Sequence, residues 1–497
     1  MASSGGIDRH CPSTARIATL PPPRFVAVVK DECDTCHLVA PILAQIAAAG
    51  RPLDVYWQDD DAFLPDSLVT VDDHELAHSF RLDIVTVPTL IRLESQRETG
   101  RTEGWDAVAW RTLTGLEGLG EELPPHRPGC GSRSVEPGVA EVLRARYGET
   151  GIRAREVVVG DAVDPVEACF DRGWTDGLPV VPPTPERILR MLAGTRRDPH
   201  ATVGRIPPDM APCTVEKVAI NAVMAGCRPE YLPVVLTALE AALDPRFTLH
   251  GVTCSTCFSS PVVIVNGPIA KRLGMNSGMN ALGQGNRANA TIGRALNLVV
   301  RNVGGGRPGE IDRATLGTPG KYTFCFAEDE SDDDWTPLAV ARGFPPGSSA
   351  VTVFAGDGVQ GIWDQKARTP AELTVSLAMA LSAVGHPKLC QWVQAILVLS
   401  PEHYAIYREA GWGRDRITTG LHEALSRPGT DVMAGAGGVA EGMPWSRRGE
   451  EVPKFHPDGL LLVRAGGPAG LMSAILSGWP GGRDYEESQP ITREISS

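Results

Sequence analysis

The chain has 497 residues, which at about 150 residues per domain suggests roughly three domains. A hydrophobic fraction of 42% and a charged fraction of 22% are those of an ordinary globular protein, with enough apolar material for a core that needs no disulfide scaffold or metal staple. Lys and Arg number 47 against 60 Asp and Glu, a net charge of −13, so the basic footprint required by nucleic acid or an anionic membrane is missing and neither is an expected partner.

Residues 1–22, which close on Pro21 and Pro22, read as a mobile, flexible tail. Met1 to Gly6 run into Asp8, Arg9 and His10 without an apolar stretch, so no secretory signal is expected. No run approaches the roughly 20 apolar residues of a membrane span. Eleven cysteines are too sparse, and odd in number, for a secreted disulfide framework. A cytoplasmic location is expected, where paired thiols serve catalysis or metals more often than structure.

From residue 23 to about 119 the pattern is a small α/β domain. Phe25 to Val29 is a β-rich run, His37 to Ala49 has helical spacing, and Leu53 to Trp57 alternates as a strand. His74 to Phe80 reads as a short helix, Pro88 to Leu93 and Glu98 to Trp105 as paired strands, and a helix starts from Asp106. Residues 120–152 are a linker by composition, rich in proline and containing Gly129-Cys130-Gly131-Ser132-Arg133. Residues 153–497 form a larger α/β catalytic domain interrupted by an acidic loop near 328–334. Three β-rich runs in it, Val262 to Val265, Ile396 to Leu399 and Leu460 to Val463, each precede a proline (Pro268, Pro401 and Pro468) that suits a first helical turn. They are candidates for repeated strand–helix modules.

Cys33-Asp34-Thr35-Cys36 follows a strand and opens a helix, where the dipole and unpaired N–H groups favour a thiolate and the two-residue spacing lets the sulfurs meet. With Pro41 five residues on, and with Val87-Pro88-Thr89, this region resembles the thioredoxin family over residues 23–119. The resemblance implies a thioredoxin fold in which Cys33 attacks, Cys36 resolves, and Pro88 is a cis-proline that contacts substrate. Two positions depart from the family. Glu32 replaces an aromatic residue, and Ala27 stands where many members bury a proton-relay aspartate. His74-Glu75-Leu76-Ala77-His78 matches a zinc-protease pattern in letters alone, and no metal or other cofactor is expected.

Gly129-Cys130-Gly131-Ser132-Arg133 resembles the signature of the UGSC-motif (seleno)protein family, with Arg133 in place of its final cysteine. That implies thiol chemistry at Cys130, with the Arg133 guanidinium favouring its thiolate. Cys254-Ser255-Thr256-Cys257 could pair internally or accept a disulfide from Cys130, whereas Cys213 and Cys227 read as packed core residues. The segment Gly283 to Ala290, with Arg287 and Asn289, leads into a helix carrying Arg294, and its glycine-exposed amides with the Arg287 charge make a candidate carboxylate or phosphate site, while Asp176 is a candidate proton donor in a turn. Asn266-Gly267-Pro268 and Gly466-Gly467-Pro468 offer further helix-start amides.

These readings lead to a thiol-dependent redox enzyme. The first domain delivers electrons to cysteines of the larger one, which acts on a small anionic substrate, and an external thiol reductant or thioredoxin reductase recharges it. Self-association into a homo-oligomer is left open. Two alternatives stand beside it: a cysteine-dependent lyase or sulfur transferase whose thiols the first domain regenerates, and a non-catalytic binding or scaffold protein.

Overall fold

The computed structural model describes residues 23–160, 162–434, 445–479 and 488–495, so the tail read over residues 1–22 lies outside the described residues. The protein is α/β, with several mixed sheets. It divides into two compact units, residues 1–150 and 151–497. Among the described residues no helix is long and apolar enough to cross a membrane.

The first unit opens with β1 (Arg24–Val29), α1 (Asp34–Ala48), β2 (Leu53–Trp57), β3 (Val69–Asp72) and α2 (Ala77–Arg81). It continues through β4 (Thr86–Val87), β5 (Thr89–Glu94), β6 (Arg97–Glu103), β7 (Trp105–Asp106) and α3 (Ala107–Thr114). Its central sheet has the order β3-β2-β1-β5-β6, the first three strands parallel and the last two antiparallel. Phe25 to Val29 are all buried, which is why the run reads as continuously apolar instead of alternating. The Val87–Pro88 peptide is cis. Asp106 caps α3 by accepting from the Ala109 amide at 2.8 Å.

Residues 120–150, read from composition as the larger part of a linker, instead fold onto this unit. β8 (His126–Arg127) pairs with β7, β9 (Cys130–Gly131) pairs with β4, and α4 (Val139–Tyr147) follows. Proline and glycine here shape a closely fitted strap. A Cβ on Gly129 would stand 2.5 Å from Thr86 Cγ2 and 2.7 Å from the Val87 carbonyl oxygen, so only glycine allows this approach.

The second unit starts with α5 (Pro165–Asp171), α6 (Pro185–Leu192), the hairpin β10 (Thr202–Ile206) and β11 (Ala211–Thr214), α7 (Val215–Ala225), α8 (Leu232–Ala242) and α9 (Leu249–Cys254). Then come β12 (Ser260–Asn266), α10 (Pro268–Arg272), α11 (Arg287–Asn302), β13 (Cys325–Ala327), α12 (Leu338–Ala341) and β14 (Ala350–Trp363). The remainder is α13 (Pro370–Ser382), β15 (Ala395–Leu399), α14 (Pro401–Glu409), α15 (Arg414–Leu425), β16 (Arg427–Pro428), α16 (Gly429–Val432), β17 (Glu451–Val452), β18 (Leu460–Arg464), β19 (Met472–Gly478) and β20 (Ile491–Glu494).

Its large sheet runs β13-β12-β14-β19-β15-β18, with β20 added beside the first half of β14. The two halves share one arrangement. β12 lies parallel to β13 and antiparallel to β14, just as β15 lies parallel to β18 and antiparallel to β19. The sheet curls, and alternate residues separate its two faces. Val262, Ile264, Ile396, Val398, Leu461 and Val463 meet in one cluster inside the curl. Their neighbours Val263 and Val265 pack on the side of α7, α8 and α11, while Leu397 and Leu462 pack with α13, α14 and α15.

Two of the three anticipated strand–helix modules are present, β12 into α10 and β15 into α14, each helix starting with its proline. The third is absent. Residues 465–471 after β18 are irregular, with Gly466 and Gly470 at φ +115° and +99°, a backbone in which Pro468 starts no helix. The acidic loop is exposed at Glu330, Asp333 and Asp334 but anchored at its start. Glu328 is buried where the ends of β13 and β18 meet and accepts from Asn266 Nδ2 (2.6 Å), Trp335 Nε1 (2.8 Å), the Leu338 amide (2.6 Å) and Arg414 Nη2 (3.2 Å). Asp329 pairs with Arg464 at 2.8 Å and its amide donates to the Arg464 carbonyl, closing the curl.

Candidate functional site: three thiols around the start of a helix

Cys33 is the residue from which α1 springs, in extended geometry (φ −136°), and Cys36 lies one turn inside the helix. The strap brings a third thiol to them. Cys130 stands opposite Val87 in the β4–β9 pair, and the Cys33 sulfur lies 3.6 Å from the Val87 carbonyl. All three thiols are free.

The sulfurs differ sharply in character. Hydrogen bonds from the Cys36 and Cys130 thiols and from the amides of Thr35 and Cys36, working against burial, pull Cys33 from 9.0 down to about 5. Burial, reinforced by the neighbouring Cys33 sulfur, drives Cys36 far upward, although the Lys30 amide donates to it at 3.4 Å. Cys130, half-buried, is raised by burial and by Cys33, while the Lys30 ammonium opposes the rise. At neutral pH the centre therefore holds one thiolate, Cys33, fed by two thiol donors.

Access to that thiolate is restricted. Cys33 is 1% exposed. The strap is tied over the helix start by Thr35 Oγ1 donating to the Pro128 carbonyl at 2.7 Å and by Arg127 meeting Asp34 at 3.1 Å. Beyond Cys130 the chain is fastened by Gln58, fully buried, whose amide donates to Ser79 Oγ and Ser132 Oγ at 2.7 Å each while its Oε1 accepts from the Arg133 amide at 3.1 Å. Cys130 thus sits in a pinned segment, not a mobile one. The Arg133 guanidinium donates to the Gln58 carbonyl at 3.1 Å, and the cation acting on Cys130 is that of Lys30. Sequence reading passed over both Lys30 and Gln58. Their only signal was position, each immediately after a strand of the parallel sheet.

His74 precedes α2 in a turn and pairs with Asp72 and Glu75, while His78 lies within the helix, so the two histidines do not share one helical face. In the second unit Cys254 ends α9 and Cys257 lies in the following turn, both half-buried. Burial and the Asp312 charge push Cys254 up. Cys213 and Cys227 are buried and raised to about 12, as expected of packed thiols.

The other sequence candidates are tied into the scaffold. Asp176 accepts two hydrogen bonds from the Arg294 guanidinium at 2.8 Å each, the arrangement of a fixed carboxylate and not of a proton donor. Arg287 Nε donates to the Gly226 carbonyl at 2.9 Å. Asn289, 3% exposed, donates to the carbonyls of Asn276 and Ala281 and accepts from the Asn276 amide, so it shapes the preceding loop from inside. The amides at the start of α10 are likewise taken by the chain itself, since the Gly267 amide donates to Glu330 at 2.8 Å and the Ile269 amide to Ser349 Oγ at 3.2 Å.

Comparison with known protein families finds none that matches the chain, and comparison with curated proteins likewise finds no match.

Proposed function

We propose that the protein is a thiol-dependent redox enzyme. In this reading its first unit is a thioredoxin-like exchange centre that passes electrons to Cys254 and Cys257 of the second. The observation that carries the reading is the single stabilised thiolate of Cys33 at the start of α1, flanked by two protonated thiols.

The chemistry balances as exchange. Reduction of a substrate by the second unit takes two electrons from Cys254 and Cys257 and leaves their disulfide. The Cys33 thiolate attacks one sulfur of that disulfide, forming a mixed disulfide and expelling the other as thiolate. A second thiol of the centre then attacks the Cys33 sulfur, releases the second-unit cysteine and closes a disulfide in the first unit, which an external thiol reductant reopens. Once Cys33 is bonded its charge no longer opposes ionisation of its neighbours. Cys130, less buried than Cys36, then ionises more readily, and we assign it the first resolving step. Covalent linkage of the two units sets their effective concentration at about millimolar, so weak docking suffices.

Redox titration with peptide mapping tests the proposal. Cys33 should form an intramolecular disulfide between about −200 and −270 mV, the range of cytosolic oxidoreductases. In Cys36→Ser the mapped bond should be Cys33–Cys130. The double variant Cys36→Ser with Cys130→Ser should trap Cys33 on Cys254 or Cys257. No disulfide at Cys33 across that range would sink the exchange reading, and a trap containing only foreign proteins would sink the internal relay.

A further inference from the structure

The second unit contains a cavity of about 780 Å³, a size suited to a small molecule. Its wall is formed by the end of α9, the first residues of β12, the later turns of α11 and the segment from Gly306 to Tyr322. Most of its carboxylates are already neutralised. Asp176 is held by Arg294, and Asp312 accepts from Lys321 at 2.6 Å. Glu310, exposed, is the remaining acid of the wall.

Donors, by contrast, are left over. The Ser260 hydroxyl is buried in a residue 2% exposed and has no hydrogen-bond partner among the described residues. Its neighbour Ser259 donates to the Asp357 carboxylate, so the two serines differ in this respect. Arg301 donates from Nε to the Thr175 carbonyl at 2.6 Å and from Nη2 to the Gly173 carbonyl at 3.5 Å, and it lines the cavity together with Arg307, which brings a second guanidinium to the same space. Burial and the Arg307 charge make the Arg301 cation less favourable on balance, although the Asp176 and Glu310 charges work the other way. Two like charges and an unpaired hydroxyl around a hollow are a cost that an oxyanion removes, accepting from all three.

We propose that this cavity binds a small molecule through a carboxylate or phosphate group held by Arg301, Arg307 and Ser260. The site also neighbours the second thiol pair. Thr253 lines it one residue before Cys254, and the Thr256 carbonyl accepts from the Thr315 amide at 2.9 Å, stitching the Cys254–Cys257 turn to the cavity wall. The inference rests on the redox reading only in calling the bound molecule a substrate.

Calorimetric titration of the full chain with inorganic phosphate and, separately, with citrate tests it and distinguishes the two oxyanions. One of them should bind saturably. Arg301→Gln should weaken that binding about ten-fold or more, the loss expected for a charge-assisted contact, and Ser260→Ala about five-fold. The exposed Arg307→Gln, which touches no core packing, serves should Arg301→Gln fail to fold. Arg287→Gln is the control and should leave binding unchanged. Absence of saturable binding by both probes, or binding indifferent to Arg307→Gln and Ser260→Ala, would overturn the site. Because binding is read without turnover, that failure leaves the Cys33 titration untouched, and failure of the Cys33 titration leaves a binding result intact.

Discussion

Cys130 lies directly opposite Val87, the residue whose carbonyl stands 3.6 Å from the Cys33 sulfur. A strand pair only two residues long thereby fixes a thiol from the strap beside the helix-start thiol. The pairing explains why Cys33 counts two thiol donors instead of the one that its Cys36 neighbour supplies.

Ionisation of Cys33 should be readable as pH-dependent stability. Its folded pKa of about 5 lies below the 9.0 of a free thiol, so its contribution is fully present above pH 9 and is lost as pH falls through about 5. The stability difference between the protein and Cys33→Ala should therefore shrink between pH 9 and pH 5 in denaturant titrations. Thiolate ultraviolet absorbance should show the matching midpoint, and Cys130→Ala should shift that midpoint upward. A difference in stability constant across the range would contradict a native thiolate.

Loosening the strap should expose Cys33. Gly129→Ala forces a methyl group against Thr86 and the Val87 carbonyl, an overpacking that costs about 1–3 kcal/mol. At pH 7 the thiol is already ionised, so its alkylation rate reports access alone. The rate should rise at least about five-fold, the factor equivalent to about 1 kcal/mol. An unchanged rate would mean that reagents reach Cys33 by a path the strap does not cover.

In the second unit the closure of the curled sheet depends on Glu328. Glu328→Leu would leave the Arg414 guanidinium buried without its carboxylate, and removing one partner of such a pair costs about 3–5 kcal/mol. Thermal unfolding of the variant should show this loss. Replacing both residues together with apolar side chains should recover much of it, since no stranded charge then remains.

The helix start at Asn286 carries one side chain that holds the scaffold and one that does not. Asn289→Ala removes three hydrogen bonds from a buried loop and should destabilise the protein by about 1–3 kcal/mol. Arg287→Ala, at an exposed side chain with one carbonyl contact, should fall within about 0.5 kcal/mol of the parent. A large effect of Arg287→Ala on stability, with none from Asn289→Ala, would reverse these roles.

What the sequence reveals follows the range of the interactions involved. Cys33, Cys36 and the helix they open lie within one stretch of chain, and the capped start of α3 at Asp106 is equally local. The company of Cys130 is not local. Proline and glycine around it have the composition of a linker, and only the distant Gln58, Thr86 and Val87 convert that composition into a fixed strap. The segment Glu328 to Asp334 misleads in the same way. Its first two acids, Glu328 and Asp329, are held by Arg414 and Arg464, supplied from far along the chain, while Glu330, Asp333 and Asp334 stay exposed. The apolar runs of β12 and β15 were evident, but nothing in either run discloses that the sheet curls to put their alternate residues into one cluster.

Three sulfurs at one helix start also change the arithmetic of oxidation. A pair of cysteines has a single disulfide form, whereas in the proposed exchange Cys33 would have two partners, Cys36 and Cys130, each form sparing one thiol. Interconversion among them consumes no electrons, because a spared thiol simply displaces another. In the proposed exchange a bond first closed on Cys130 would pass to the wholly buried Cys36 and back, with Cys33 as the common member of both.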